Sequence, residues 1–407
     1  MIKNYHLLCL LVIILGGIKA AYSSDLKTET VISFQSNSTD PNQVMFQIGI
    51  HELTQGNYNS AAKIFKLLSS RTHSIRVKLE LARSLFLAKR FSQSKFIFQS
   101  ILKSNTIPWA VRQNIQLYLD EIDLMVGFMK FSLAIVSDSN PLNYTNVREI
   151  KISGQTLTLT PPPSNKEIFG MRYGINSAKA FTDNKSLIGY ANVSFSDYEN
   201  SQFDKWVVDA GILFPNQVGT KLKTKVGIEK SFYGGKHLYD FPYISLSYTP
   251  NLLNQFKLST KLKFGTLRVP EASQLDAKNI SLNTDMKKML DNDLMLTTGI
   301  HIEKSVAKEN AHAYDGGMVT SSLSVPVYRK WGVDIFGSAS MRKYKGSDPF
   351  FGEIRKDLKQ NIGFTIFNDS LKYKDFKPEI GLSYERSESS IDYYSYDKIN
   401  LILKFSQ

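Results

Sequence analysis

From Lys130 onward, hydrophobic and polar side chains alternate with a period of two, the signature of strands with one apolar and one polar face. Near the C-terminus, Ile399, Leu401, Leu403 and Phe405 fall on one face, and Asn400, Ile402 and Lys404 on the other. In the run that begins at Phe256, Phe256, Leu258, Leu262 and Phe264 oppose Lys257, Ser259, Lys261 and Lys263. The pattern predicts strands over residues 130–138, 167–181, 185–197, 202–214, 219–232, 241–249, 256–267, 278–289, 293–304, 315–327, 331–344, 353–368, 377–387 and 398–405. Strands with one greasy face survive in lipid only as a closed barrel, because each unpaired backbone group there costs several kcal/mol. The expectation is therefore a transmembrane antiparallel β-barrel of about 14 strands, the last paired with the first. Counts of 12 or 16 also fit, since strand ends are placed only to within a few residues.

Upstream the period changes to that of helices, from Asn42 to Leu124. Within this region Gly56, Tyr58, Ala61 and Phe65 recur as Lys89, Phe91, Ser94 and Phe98, and Ile48-Gly49 recurs as Leu81-Ala82, an offset of 33 residues. That offset is close to the ~34 of tetratricopeptide repeats. Small Gly49 and Ala82 let paired helices approach, and Tyr58 and Phe91 open the second helix of each pair. A further helix opens at Pro108, with Val111, Ile115, Leu117 to Leu119 and Ile122 as its buried face. Its expected role is a cap on the repeats and a stalk into the barrel. Residues 1–23 read as a secretory leader, with basic Lys3, an apolar stretch and small Ala20, Ala21 and Ser23. The expected domains are thus 1–23 leader, 24–41 flexible lead-in, 42–126 periplasmic helical repeats and 127–407 barrel.

Composition sharpens this picture in three ways. A mean hydropathy of −0.21 does not oppose a membrane barrel, because lumen residues cancel lipid-facing ones in the average. The formal charge of +13 is spread along the strands rather than clustered, which disfavours nucleic acid as a partner. The single cysteine, Cys9, lies in the leader after Leu8, where a lipoprotein site would need a small residue. The rest of the chain therefore has neither disulfides nor thiolate metal sites.

Motifs for chemistry are missing: there is no G-x-S-x-G, no G-x-x-x-x-G-K-[ST] and no H-E-x-x-H. His301 and Glu303 share a polar face, a spacing that any lumen wall produces. The chain reads as a non-enzyme with no cofactor. The candidate binding residues are of two kinds. Lys257, Lys261 and Lys263 share the polar face of one strand, as Lys221, Lys223 and Lys225 do on another. Such a wall would select anions or guide an acidic client, or simply keep the lumen wet. On the repeats, Ile50, Thr54, Arg83 and Leu87 occupy expected concave-face positions, where they would bind an extended peptide or, for Ile50 and Leu87, serve as core.

Three stretches carry a resemblance to a known family: P-W-A-V-R-Q-N-I-Q-L-Y-L-D-E-I at 108–122, F-S-L-A-I-V-S-D-S-N at 131–140, and the tail from R-K-D at 355–357 through Y-E-R-S-E-S-S-I-D-Y-Y-S-Y-D-K at 384–398 to the end. The chain resembles the surface lipoprotein assembly modifiers, the Slam family. It departs from them in a short helical domain and in an F-S-Q terminus instead of a terminal aromatic. The resemblance implies a translocator in the cell outer membrane, its helical domain in the periplasm. It would move clients, surface lipoproteins or secreted haem-binding-type proteins, to the cell surface. The expected partners are the client, the outer-membrane bilayer, periplasmic chaperones and the barrel assembly machinery. A porin-like passive channel with an accessory repeat domain is the alternative.

Overall fold

The computed structural model describes residues 40–104, 107–152, 155–160, 166–182, 186–215, 222–250, 256–291, 294–327, 330–368, 370–371 and 376–406. The leader and nearly all of the lead-in lie outside the described residues. By contacts the chain divides into two units, Met1–Lys103 and Ser104–Gln407.

In the first unit, four helices follow one another: α1 (Pro41–Thr54), α2 (Tyr58–Arg71), α3 (Ile75–Leu87) and α4 (Phe91–Leu102). The 33-residue repeat is visible atom by atom. Tyr58 and Phe91 each begin a helix. A Cβ on Gly49 would lie 2.7 Å from the Phe65 ring, so only glycine lets α1 meet α2 there. At the equivalent place, fully buried Ala82 receives the Ser94 hydroxyl on its carbonyl at 2.7 Å. Phe46, Leu53, Ala61, Phe65, Leu68 and Leu81 are among the residues of the core, with Phe46 and Phe65 in edge contact at 5.6 Å. The turns repeat as well: Gly56 sits at φ +81° and its counterpart Lys89 at φ +58°.

The Gly56 turn gives a test of this repeat. A Cβ there meets nothing within 4 Å, so the only cost of Gly56→Ala is the left-handed backbone. That substitution is expected to destabilise the helical unit by about 1 kcal/mol. Thermal loss of the far-UV helical signal measures it, and an unchanged midpoint would show that the turn tolerates a side chain.

The second unit opens with α5 (Trp109–Val126), which is capped by Gly127 at φ +89° and packs against the barrel strand β4 (Ile168–Ala180). Ile115, Leu119 and Ile122 are buried at helical spacing, whereas Leu117, expected on the same face, is 63% exposed. After it come β1 (Phe128–Asp138), then β2 (Glu149–Ile152) and β3 (Gln155–Thr158), which pair only with each other. Next are β4, β5 (Ile188–Tyr198), β6 (Lys205–Pro215), β7 (Leu222–Tyr233), β8 (Lys236–Tyr248), β9 (Phe256–Leu267) and β10 (Ala277–Met289). The last are β11 (Met295–Ala307), β12 (Tyr314–Pro326), β13 (Trp331–Ser347), β14 (Ile354–Asn368), β15 (Lys377–Ser389) and β16 (Tyr396–Ser406).

All but β2 and β3 form one closed antiparallel barrel of fourteen strands. It closes where β1 meets β16, in register from Ser132↔Ser406 to Asp138↔Asn400. Each barrel strand thereby has a hydrogen-bonded neighbour on both sides, as lipid requires. Side chains such as Ile135, Ile300, Val319, Ile362, Ile380 and Leu401 stand exposed on the outside. Residues one position away face the lumen and pair with one another. The near end of the barrel is where β1 begins, and the far end is where it finishes. One far-end connector is long, that between β1 and β4. Elsewhere the ends are alike: β7 and β8 join at the far end through Gly234 and Gly235 alone, but most far-end connectors match the near-end ones in length.

Candidate functional site

The basic side chains predicted for the lumen lie on the β7–β10 wall. In β9, Phe264 is exposed to the outside, while Lys261 and Lys263 turn inward. Lys263 lies 4.0 Å from the Tyr243 ring centre and 4.6 Å from that of Phe241, and a Cβ on neighbouring Gly265 would overlap Phe241. Lys225 of β7 donates to Asp209 of β6 at 2.9 Å and sits 3.8 Å above the Tyr190 ring. Asp209 also accepts the Tyr243 hydroxyl at 2.7 Å, and Tyr190 and Tyr243 meet at 3.1 Å. The two tyrosines reach each other because Gly211 and Gly227, directly paired across β6 and β7, leave the wall bare between them.

Lys257 lies nearer the near end, directly opposite Lys287 of β10 on the same face. Like charges set opposite each other repel, and a passing anion would relieve them. Lys223 shares the Lys225 face, and Lys221 lies outside the described residues. On the neighbouring wall Glu303 accepts from Arg342 at 2.9 Å and stands 3.4 Å from His301, whose other ring nitrogen meets Asn283. The carboxylate is thus held in an ion pair with the Arg342 guanidinium.

The repeat-domain candidates divide by burial. Ile50 and Leu87 are half-buried against the helical core, whereas Thr54 and Arg83 are exposed. Thr54 caps its own helix by donating to the His51 carbonyl at 2.7 Å, and Arg83 stands 3.6 Å from Glu80.

At the far end the structure brings together residues that are remote in sequence. Just past β1, Asn140 is buried and bonds the Tyr144 amide and carbonyl at 2.8 and 2.9 Å, closing a tight loop. Its amide also reaches the Asp397 carbonyl at 3.2 Å. Thr145, equally buried, donates to the Asp392 carbonyl at 2.9 Å, and Asn146 bonds the Ser395 carbonyl at 3.3 Å and the Asp397 side chain. Lys398 donates to Asp138 at 3.1 Å below them. Residues 140–146 thus form a strap pinned to the β15–β16 hairpin, each bond contributing roughly 0.5–1.5 kcal/mol net.

Beneath the strap lies a cavity of about 620 Å³, lined by Leu142 to Thr145 and by inward-facing side chains of β12 to β16. Its wall is ordered by pairs: Arg355 with Asp357 at 3.0 Å, Lys359 with Glu385 at 2.8 Å, and Tyr396 with Glu385 at 3.0 Å. Arg355 is sandwiched 4.1 Å from each of the Tyr344 and Tyr394 rings. In the far-end loops, burial would raise the Asp348 carboxyl, but the Tyr394 hydroxyl and the Phe350 and Phe351 amides donate to it and hold it below the usual range. Burial and that same carboxylate push the Tyr394 hydroxyl up to about 12. Asp348 therefore stays ionised and Tyr394 protonated across the neutral range. Charge patterning does not reveal this site. The signal available in the sequence is the set of stretches at 131–140, 355–357 and 384–398, which meet here.

A closed fourteen-strand barrel with an apolar outside, a charged and aromatic lumen and an N-terminal helical unit defines an outer-membrane β-barrel protein. The family model for the surface lipoprotein assembly modifiers matches residues 129–407, and the chain belongs to that family. It is 21% identical to the surface lipoprotein assembly modifier of Pasteurella multocida (strain Pm70), over 92% of this chain and 78% of that one. Among solved structures it is similar to the DcaP outer-membrane channel of Acinetobacter baumannii, at 10% identity and a TM-score of 0.39, covering 69% of this chain and 97% of that one. It is also similar to OccK3 (OpdO) of Pseudomonas aeruginosa, at 11% identity and a TM-score of 0.38, covering 70% and 97%.

Proposed function

We propose that this protein moves client proteins from the periplasm through the outer membrane to the cell surface, and that it does so without catalysis. The clients are surface lipoproteins or secreted haem-binding-type proteins. The observation that carries this reading is the family match, which spans the whole barrel. The basic wall at Lys257, Lys261, Lys263 and Lys287 supports it, since charged side chains in a narrow passage focus field and guide acidic segments. The helical unit recruits the client in the periplasm along Ile50, Thr54, Arg83 and Leu87, as repeat proteins bind along extended surfaces. Periplasmic chaperones deliver the client, and the barrel assembly machinery inserts the protein itself.

The test is surface labelling of a co-expressed lipoprotein in cells with and without this chain, total lipoprotein being held equal. Display should depend on the chain. Equal display in both, with small-solute uptake depending on the barrel instead, would make the protein a passive channel.

A further inference from the structure

We propose that residues 140–146 are a displaceable closure of the far mouth, and that passage through the barrel requires their release from the β15–β16 hairpin. Three observations carry this. The strap does not lie outside the barrel rim: Leu142 to Thr145 line the same cavity as Met318 of β12 and Ser338 of β13, so the segment that leaves β1 crosses toward strands far around the wall. Its hold on the wall is local: the bonds from Asn140, Thr145 and Asn146 that leave the strap end on Asp392, Ser395 and Asp397, and the Tyr144 hydroxyl donates to Thr160 of the same β1–β4 connector. Most residues around the space beneath it are polar or charged, among them Arg355, Asp357, Lys359, Asn361 and Glu385, and within that wall the Arg355 Nε and the Asn361 side-chain oxygen are buried without a hydrogen-bond partner among the described residues. A permanent plug would pack its underside as a protein core does. This one roofs a space with a largely polar and charged lining, and its bonds to the barrel wall gather on the β15–β16 hairpin.

The proposal rests on the barrel being a passage, and it deepens the translocation reading by placing the gate. The test exploits the lack of any cysteine after Cys9. Asn146 and Asp397 already bond each other through their side chains, so the double variant Asn146→Cys/Asp397→Cys can lock the strap by oxidation and free it by reduction. The release variant is Thr145→Val, which removes the hydroxyl's bond to the Asp392 carbonyl, and the one it accepts from the Val147 amide, at nearly constant shape. Both are purified as full-length protein, checked for heat-modifiable migration and measured as ion conductance in planar bilayers.

The oxidised lock should conduct least, reduction should raise the same protein's conductance severalfold, and Thr145→Val should exceed the wild type. Conductance of the lock that is indifferent to oxidation overturns the proposal, and this comparison within one protein holds even if the release variant folds poorly. Conductance that follows the strap while lipoprotein display is independent of the chain would leave the closure standing and remove the translocation reading.

Discussion

A chain lacking residues 42–103 should still reach the outer membrane as a closed barrel, yet lose most of its client display. The first half of this expectation follows from the backbone. The fourteen strands pair only among themselves, so the barrel needs nothing from the helical unit to satisfy its hydrogen bonds. The cut belongs before Ser104 and not after α5, because α5 packs against β4 and a deletion reaching into it would expose that part of the strand wall. The second half follows from the proposed recruitment: the barrel would remain, but nothing in the chain would gather the client for it. Surface labelling of a co-expressed client measures the loss, with equal barrel levels verified by heat-modifiable migration. Undiminished display from a correctly inserted, shortened chain would end the recruiting role assigned to the helical unit and leave translocation to the barrel alone.

The other large effect is expected at the closing strand. Leu401 stands 45% exposed on the outer face, midway along β16, between Ser137 of β1 and Leu382 of β15. An arginine there would put a cation into the hydrocarbon, and Leu401→Arg should destabilise the barrel by roughly 2–4 kcal/mol. Asn400 is one residue away but turns inward, beside Asp138 and Ser383. Asn400→Arg should be much milder, since the lumen offers water and the Asp138 carboxylate. Unfolding of both variants from bilayers in denaturant gives the comparison. Equal losses would mean that the two faces of β16 do not differ as the pairing requires.

Much of this fold was legible in the sequence because lipid makes alternation nearly compulsory. Each barrel strand was found, and β9 came out with the predicted bounds, Phe256–Leu267. The largest misplacement was the start of β8, expected at Phe241 and found at Lys236. Gly234 and Gly235 adopt φ of +54° and +76° and turn the chain in two residues, where the sequence reads as a loop. The β2–β3 hairpin was not foreseen either, since four-residue strands are too short to show a period.

For the site, the inward face of Lys261 and Lys263 was legible from alternation, but their setting was not. That Asp209 of β6 holds Lys225 and Tyr243 depends on lateral packing across several strands, and glycines at Gly211 and Gly227 say nothing of it in one dimension. The strap was hidden more deeply. Thr145 and Asp392 are polar residues of ordinary loops until barrel closure sets them side by side.

That closure also dictates when the far mouth can exist during biogenesis. Asn140 and Asp397 are 257 positions apart, and contacts of such sequence separation form late and slowly, because the intervening chain must first be ordered. A nascent barrel in which β1 and β16 have not yet met has neither the ladder that seals its seam nor the contacts that hold its strap. Both form when those two strands come together. Assembly and latching are therefore a single event, and a half-built barrel cannot carry a finished gate.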